Sequence, residues 1–266
     1  FYGAKDERNL QKSLHTAYAF SAILSIVFTI LGWALTPFLL KLIDTPADTL
    51  ADSILYLRIY FLGIFGTLIF NIGSAIMRSI GDSRRPLYYL IVCCFLNIIL
   101  DLVLVIVFDM GIVGAAIATI ISQAVSAILV TNALMKKYDD CKLYLSKLHI
   151  DLLKLRMEFR IGIPSALQAF MYSITNIIIQ AAINGFGTDT AAAWASFGKL
   201  DALFWTVNGA FGIAITTFAG QNYGAGKHRR IKDGWKQSMI AASVFCVCVS
   251  AVVFIFAEKF MGLFVT

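Results

Sequence analysis

The sequence predicts an all-α, polytopic membrane protein with about seven spanning helices, the middle piece of a larger and internally duplicated whole. Three observations carry this. Of 266 residues, 59% are hydrophobic and only 14% charged, with a mean hydropathy of +0.79. Soluble domains sit near about 45–50% apolar and about 25% charged, so lipid must solvate much of this chain. The apolar residues gather into seven runs, each near the roughly 20 residues that a spanning helix needs. The loops between the runs alternate in charge.

The runs cover 16–40, 53–77, 87–108, 111–135, 161–185, 190–218 and 237–257. The short link Asp109-Met110-Gly111 makes the third and fourth spans a tight antiparallel pair. Pro164 is expected within the first turn or two of the fifth span, where proline is tolerated. Glycine, serine, threonine and asparagine recur along most runs, as on the packing faces of membrane helices.

The segments 3–15, 78–85, 136–160 and 227–236 hold 3, 3, 7 and 5 Lys/Arg, which is 18 of the chain's 22. The intervening loops are short and mostly acidic, with Asp44, Asp48, Asp52, Asp109 and Asp189. By the positive-inside rule the basic loops are cytoplasmic, in a multi-pass protein of the plasma (inner) membrane. Confinement of the charge to loops also explains the net charge of +6 without nucleic acid as a partner. Lys41, Arg58, Lys199 and Lys259 are the remaining cations. Arg58 reads as lying near the outer end of its span, snorkelling to the interface with no chemical role.

In the longest loop, 136–160, Leu145, Leu148, Leu152, Leu155 and Phe159 fall on one face at helical spacing. A basic amphipathic helix on the inner leaflet is the expectation, against a plain solvated linker. Either way this segment separates the two membrane parts, 1–135 and 161–266.

Tyr2-Gly3-Ala4 returns as Tyr223-Gly224-Ala225, 221 residues on, and at the same offset Leu10 corresponds to Ile231 and Leu14 to Trp235. With one more residue, Phe38 corresponds to Phe260 and Leu39 to Met261. Both copies lead from a basic cluster into a span, which makes duplication the reading. Six spans separate the copies, so the expected whole is a six-plus-six protein with halves of the same topology, extending past both ends of this chain.

Among the spans, Asp101 is the sharpest candidate for chemistry. A carboxylate that deep costs about 2.5–3.5 kcal/mol to insert, so it should face a cavity with partners. Asn97 lies one turn away on the same face. Amide oxygen and carboxylate at that spacing can ligate Na⁺ or hold a protonated carboxyl. Thr119 and Ala115, on the antiparallel neighbour, can add a hydroxyl and a carbonyl. The alternative is that Asp101 and Asn97 only join helices. Lys199 and Asp201 form a second polar pair, either facing a cavity or paired to another helix. Asn71, Gln123, Gln168, Asn176, Gln180 and Asn208 suit a polar-lined cavity as a set and interhelical hydrogen bonding one by one.

Five cysteines (93, 94, 141, 246 and 248) form no framework and are expected as free thiols. The histidines 15, 149 and 228 fall in or beside basic loops and are not expected to bind metal. No nucleophile triad, phosphate loop or dinucleotide fingerprint is present, so the chain is not expected to be an enzyme or to carry a cofactor.

The stretch Gly220-Gln221-Asn222-Tyr223-Gly224-Ala225-Gly226-Lys227 and its copy Phe1-Tyr2-Gly3-Ala4-Lys5 resemble the multidrug and toxic compound extrusion (MATE) transporters. So do Met77-Arg78-Ser79-Ile80-Gly81-Asp82, Leu96-Asn97-Ile98-Ile99-Leu100-Asp101, the run 111–119, and Gly162-Ile163-Pro164, in family order. The resemblance implies two six-helix lobes around a central cavity that export organic cations or other amphiphiles in exchange for H⁺ or Na⁺. Residues 1–135 would be helices three to six of the N-lobe, 136–160 the cytoplasmic linker, and 161–266 helices seven to nine of a partial C-lobe. The pattern is similar to the DinF-like branch. The acid of the NorM-like seventh helix falls at Tyr172, and Gln168, Ser173, Asn176 and Gln180 line this helix instead. By resemblance Asp101, Asn97, Thr119 and Ala115 match the first-lobe cation site, with Na⁺ at Asp101 and Asn97 one option. Lys199, Asp201, Gln168, Tyr172, Asn176, Gln180 and Asn71 would line the substrate cavity. The implied partners are the bilayer and small amphiphilic or cationic substrates, and the intact protein is expected to be a monomer. A flippase of the same superfamily, moving lipid-linked oligosaccharide, is the competing reading; it would want a more cationic cavity.

Overall fold

Eight α-helices follow one another among the described residues: α1 Glu7–Leu42, α2 Ala47–Leu62, α3 Ile64–Ser79, α4 Arg84–Asp101, α5 Gly111–Lys136, α6 Leu152–Asn184, α7 Thr188–Gly224 and α8 His228–Ile255. The structure is a computed structural model and describes residues 1–43, 45–138 and 141–256. Asp44, Lys259, Phe260, Met261 and the Asp189 side chain lie outside it. Six of these helices are long and apolar enough to cross a membrane, and counting α2 with α3, a pair bent by 43° at Gly63, as one broken span gives up to seven. An unbroken apolar run thus hides a break that a hydropathy reading cannot see. The described residues are all-α as expected, with six to seven spans against the expected seven or so.

Local chemistry sets the helix ends. The Asp6 carboxylate accepts from Asn9 N at 3.1 Å and caps α1. Asp82 accepts from the backbone N–H of Arg84 and Arg85 at 3.2 and 3.1 Å, holding the first turn of α4. The α4–α5 reversal puts Asp109 and Gly111 at φ +52° each.

The chain divides into two compact units. The first joins residues 1–2 to 6–156; the second joins 3–5 to 157–266. In the first, α1, α3 and α5 meet around Leu14, Tyr18, Ile69, Met77, Val130 and Leu134, with Cys141 and Leu143 closing that core at the basic-loop end.

Two expectations are corrected. No amphipathic helix spans 136–160: α5 ends at Lys136, Leu145–Lys147 is one 3₁₀ turn, and α6 starts at Leu152. The helical spacing from Leu145 to Phe159 therefore straddles an extended segment. Leu143 and Cys141, both 1% exposed, anchor that segment in the core, and Leu143 N donates to Leu134 O at 3.0 Å. Pro164 lies about three turns inside α6, because the helix runs on from Leu152 through the basic residues. Arg58 stands about three turns into α2, whose first turns carry Asp48 and Asp52 ahead of the apolar run.

In the second unit α7 and α8 pack through Phe204, Phe211 and Phe245, whose ring centroids are 6.0–6.3 Å apart. The two copies of the repeated tripeptide touch here. Gly3 lies so close to the Gln221 backbone that no side chain fits, and a Cβ on Gly224 would come within 3.0 Å of Ala4 N. At the 221-residue offset, the first residue of α1, Glu7, corresponds to the first residue of α8, His228. The repeat therefore extends from letters to helix starts.

Candidate functional site

Asn97 and Asp101 occupy successive turns at the C-terminal end of α4, and Asp101 is its last α-helical residue. A π-helical stretch, Leu102–Val107, follows directly. Such stretches displace the backbone ladder by one residue and are concentrated at functional sites. Here the wider ladder ends with Phe108 N on Val103 O and Met110 N on Leu104 O, both at 3.0 Å.

Asp101 Oδ1 and Asn97 Nδ2 are buried and have no hydrogen-bond partner. Burying an unpaired amide or carboxylate is costly, so this pair is a candidate position for a polar ligand. On α5, Thr119 Oγ1 donates to Ala115 O at 3.0 Å, which leaves lone pairs on the hydroxyl oxygen, while the Ala115 carbonyl also takes the helical N–H of Thr119. Gly114 lets the two helices approach: a Cβ there would lie 3.1 Å from the Leu104 carbonyl carbon. With Leu104 against Gly114 in an antiparallel pair, Asp101 comes level with the turn of α5 that carries Thr119. The oxygens of Asp101, Asn97, Thr119 and Ala115 suit a hard monovalent cation, and a lone carboxyl there also suits a proton. Among the described residues no cluster of histidine, cysteine and carboxylate suits a transition metal.

The second group of predicted residues lies in the second unit. Gln168, Tyr172, Asn176 and Gln180 recur every four residues and form one stripe along α6. Tyr172 meets Trp205 of α7 edge-on at 6.0 Å, and Asp201 lies one turn before Trp205. Tyr172 of this stripe thus meets the side of α7 that carries Asp201. Gln180 Nε2 donates to Asn184 Oδ1 at 2.9 Å. Lys199, two residues before Asp201, is exposed and has a different azimuth on α7. Asn71 is exposed on α3, in the other unit.

Sequence reasoning missed Arg58. Its guanidinium stacks on Trp33 of α1 at 4.4 Å from the ring centroid, and its Nε is buried with no partner. It also missed a cluster outside the spans. Tyr138 OH donates to Asp82 Oδ2, and Arg85 Nη1 bonds the same oxygen at 2.9 Å while its guanidinium lies 5.1 Å from the Tyr138 ring. Burial works to raise the Asp82 pKa, but the bonds from Tyr138 and the Arg85 backbone and the Arg85 charge outweigh it and hold it below the usual carboxylate range. Burial and the bond to Asp82 push the Tyr138 hydroxyl up to about 12.

The family model described as MatE matches residues 1–103 and 164–266, one match on each side of the linker. The chain is 27% identical over 274 residues to a probable multidrug resistance protein, YoeA, of Bacillus subtilis, covering 100% of this chain and 59% of that protein. It is 27% identical over 226 residues to the multidrug export protein MepA of Staphylococcus aureus, covering 85% and 50%. A solved MOP superfamily transporter from Pyrococcus furiosus superposes with a TM-score of 0.91 at 25% identity, over 98% of this chain and 58% of that one. An outward-facing multidrug resistance MATE family transporter superposes at 0.92 and 24% identity, over 99% and 59%, which speaks to the fold alone. The chain spans about three-fifths of the length of these relatives. With the model matched across most of both halves, the chain belongs to the MatE family, the multidrug and toxic compound extrusion transporters, which are multi-pass membrane proteins and not enzymes.

Proposed function

We propose that the intact transporter exports amphiphilic or cationic drugs by alternating access in exchange for H⁺ or Na⁺, with Asp101 and Asn97 as the coupling site. The observation that carries this is the orphaned pair, Asp101 Oδ1 and Asn97 Nδ2, buried on an otherwise apolar span. Cation binding there removes an uncompensated charge from a low-dielectric site, and that differential affinity is what shifts a two-state equilibrium. Thr119 and Ala115 complete the oxygen set. Substrate contacts fall to Gln168, Tyr172, Asn176, Gln180 and Asp201 in the second unit, with Lys199 and Asn71 as outlying members. The basic loops face the cytoplasm of a plasma membrane and no resident cofactor is used.

The test is efflux by the intact transporter carrying Asp101→Asn. We expect normal membrane levels and loss of coupled drug export. Undiminished drug resistance in that variant would refute the coupling role.

A further inference from the structure

We propose that His15 is a proton-operated latch that holds the segment joining the two units against α1 while its imidazole is neutral and releases it when the ring is protonated. The proposal goes beyond the coupling site and is independent of it, since every group involved lies at the opposite, basic-loop end of the first unit.

His15 is 4% exposed, although it sits in a basic neighbourhood. Both ring nitrogens are engaged. Nδ1 lies 2.8 Å from Gln11 O, a carbonyl that can only accept, so Nδ1 carries the hydrogen. The Tyr144 backbone N–H donates to Nε2 at 3.1 Å, so Nε2 must be bare. These two bonds admit one neutral tautomer only. Protonation puts a hydrogen on Nε2 facing the Tyr144 N–H. That replaces an acceptor with a donor, and a buried bond becomes a repulsion.

The same stretch of α1 ties down the rest of the segment. Gln11, in the amide orientation its neighbours require, donates to Lys142 O at 3.0 Å and accepts from Lys142 N at 3.1 Å. Thr16 Oγ1 accepts from Asp151 N at 3.1 Å, and Lys12 Nζ bonds Asp151 Oδ2 at 3.1 Å. One turn and a half of α1 thus reads the segment's backbone at Lys142, Tyr144 and Asp151, with His15 as the tie whose sign reverses with charge.

The surroundings add to the response. On the segment, the rings of Tyr144 and His149 stack on that of His15 at 6.3 and 6.2 Å, and Lys142 and Lys147 lie 5.9 and 4.8 Å from the Tyr144 ring. On α1, Lys12 is paired with Asp151; at the start of α6, Lys154 lies over the Phe1 ring at 4.2 Å. A protonated His15 joins these cations. The Lys12 hydrogen bond holds the Asp151 carboxyl below the usual range, so that pair stays charged where histidines titrate. His149 is the other histidine beside His15 among the described residues, and the test must separate the two. Release has a structural consequence: Leu145 and Leu148 form one wall of an apolar cavity of about 700 Å³ shared with Tyr18, Ile69 and Asn132.

Cys141 reports on the latch, since its thiol is 1% exposed while the segment is docked. The intact transporter, with Cys141 as its single cysteine, is treated with a polar maleimide at pH 7.5 and 5.5, and each rate is divided by that of denatured protein at the same pH. This removes the thiol's intrinsic loss of reactivity in acid. We expect the normalised rate to rise about tenfold at pH 5.5, to be flat in His15→Gln, and to rise as in the parent in His149→Gln. Equal normalised rates at both pH values, a rise that persists in His15→Gln, or one that disappears in His149→Gln would overturn the proposal. Should His15→Gln not fold, Thr16→Val with His15 intact weakens a neighbouring tie and shifts the rise to higher pH; an unmoved rise overturns it equally. Drug transport does not enter this readout, so its outcome and that of the coupling site are distinguishable.

Discussion

A polar atom buried without a partner costs free energy, and two such atoms one turn apart on an apolar helix need a reason. Asp101 and Asn97 were legible in the sequence because a carboxylate deep in a span is rare enough to stand out. Arg58 was not, since its significance rests on where α2 begins and on Trp33, a residue of another helix. His15 was hidden for the same reason, as its acceptor bond comes from Tyr144, 129 residues away. Outside the spans the Asp82 cluster gives a pH prediction. A folded-state carboxyl held below its usual value adds stability that is present above the unfolded pKa and lost as pH falls through the folded one. The thermal midpoint of detergent-solubilised protein should therefore drop below about pH 4, and Asp82→Asn should flatten that limb. Tyr138→Phe removes one hydrogen bond to a partly exposed carboxylate and should cost about 1 kcal/mol in the same assay.

At the scale of elements, the apolar runs set the number and rough place of the spans. They could not show the break at Gly63 or the π-helical stretch at Leu102–Val107, because both are matters of backbone path and leave hydropathy unchanged. The linker was misread for a related reason. Leucines at helical spacing need not share a helix when Leu143 and Cys141 are drawn into the core beside them. The close approach of α5 to the π-helical stretch depends on Gly114, where any Cβ meets Leu104 and Met110 at 3.0–3.1 Å. Gly114→Leu should destabilise the protein by about 1–3 kcal/mol, read as a lower thermal midpoint. It should also weaken cation binding at Asp101, whereas Gly162→Leu, at a glycine with nothing within 4 Å, should do neither.

For the whole molecule, the 221-residue echo marked a duplication, and the structure shows its two tripeptides in backbone contact and the helices after them starting in register. The placement of the cavity residues was less legible, because the stripe on α6 depends on helix azimuth and on the contact between Tyr172 and Trp205. The proposed orientation, with the basic loops cytoplasmic, rests on loop charge. Single cysteines at Lys232 and Gly187 in the intact transporter should react with an impermeant thiol reagent from opposite sides, Gly187 from outside; the reverse pattern would contradict the assignment. The central claim is exchange of drug for a cation at Asp101 and Asn97, and the most direct measurement is drug-driven H⁺ and Na⁺ flux in liposomes holding the intact transporter. An imposed drug gradient should drive a counterflux of one of these ions, and Asp101→Asn should abolish it. Drug movement with neither ion flux, or an ion flux that Asp101→Asn leaves intact, would contradict the account.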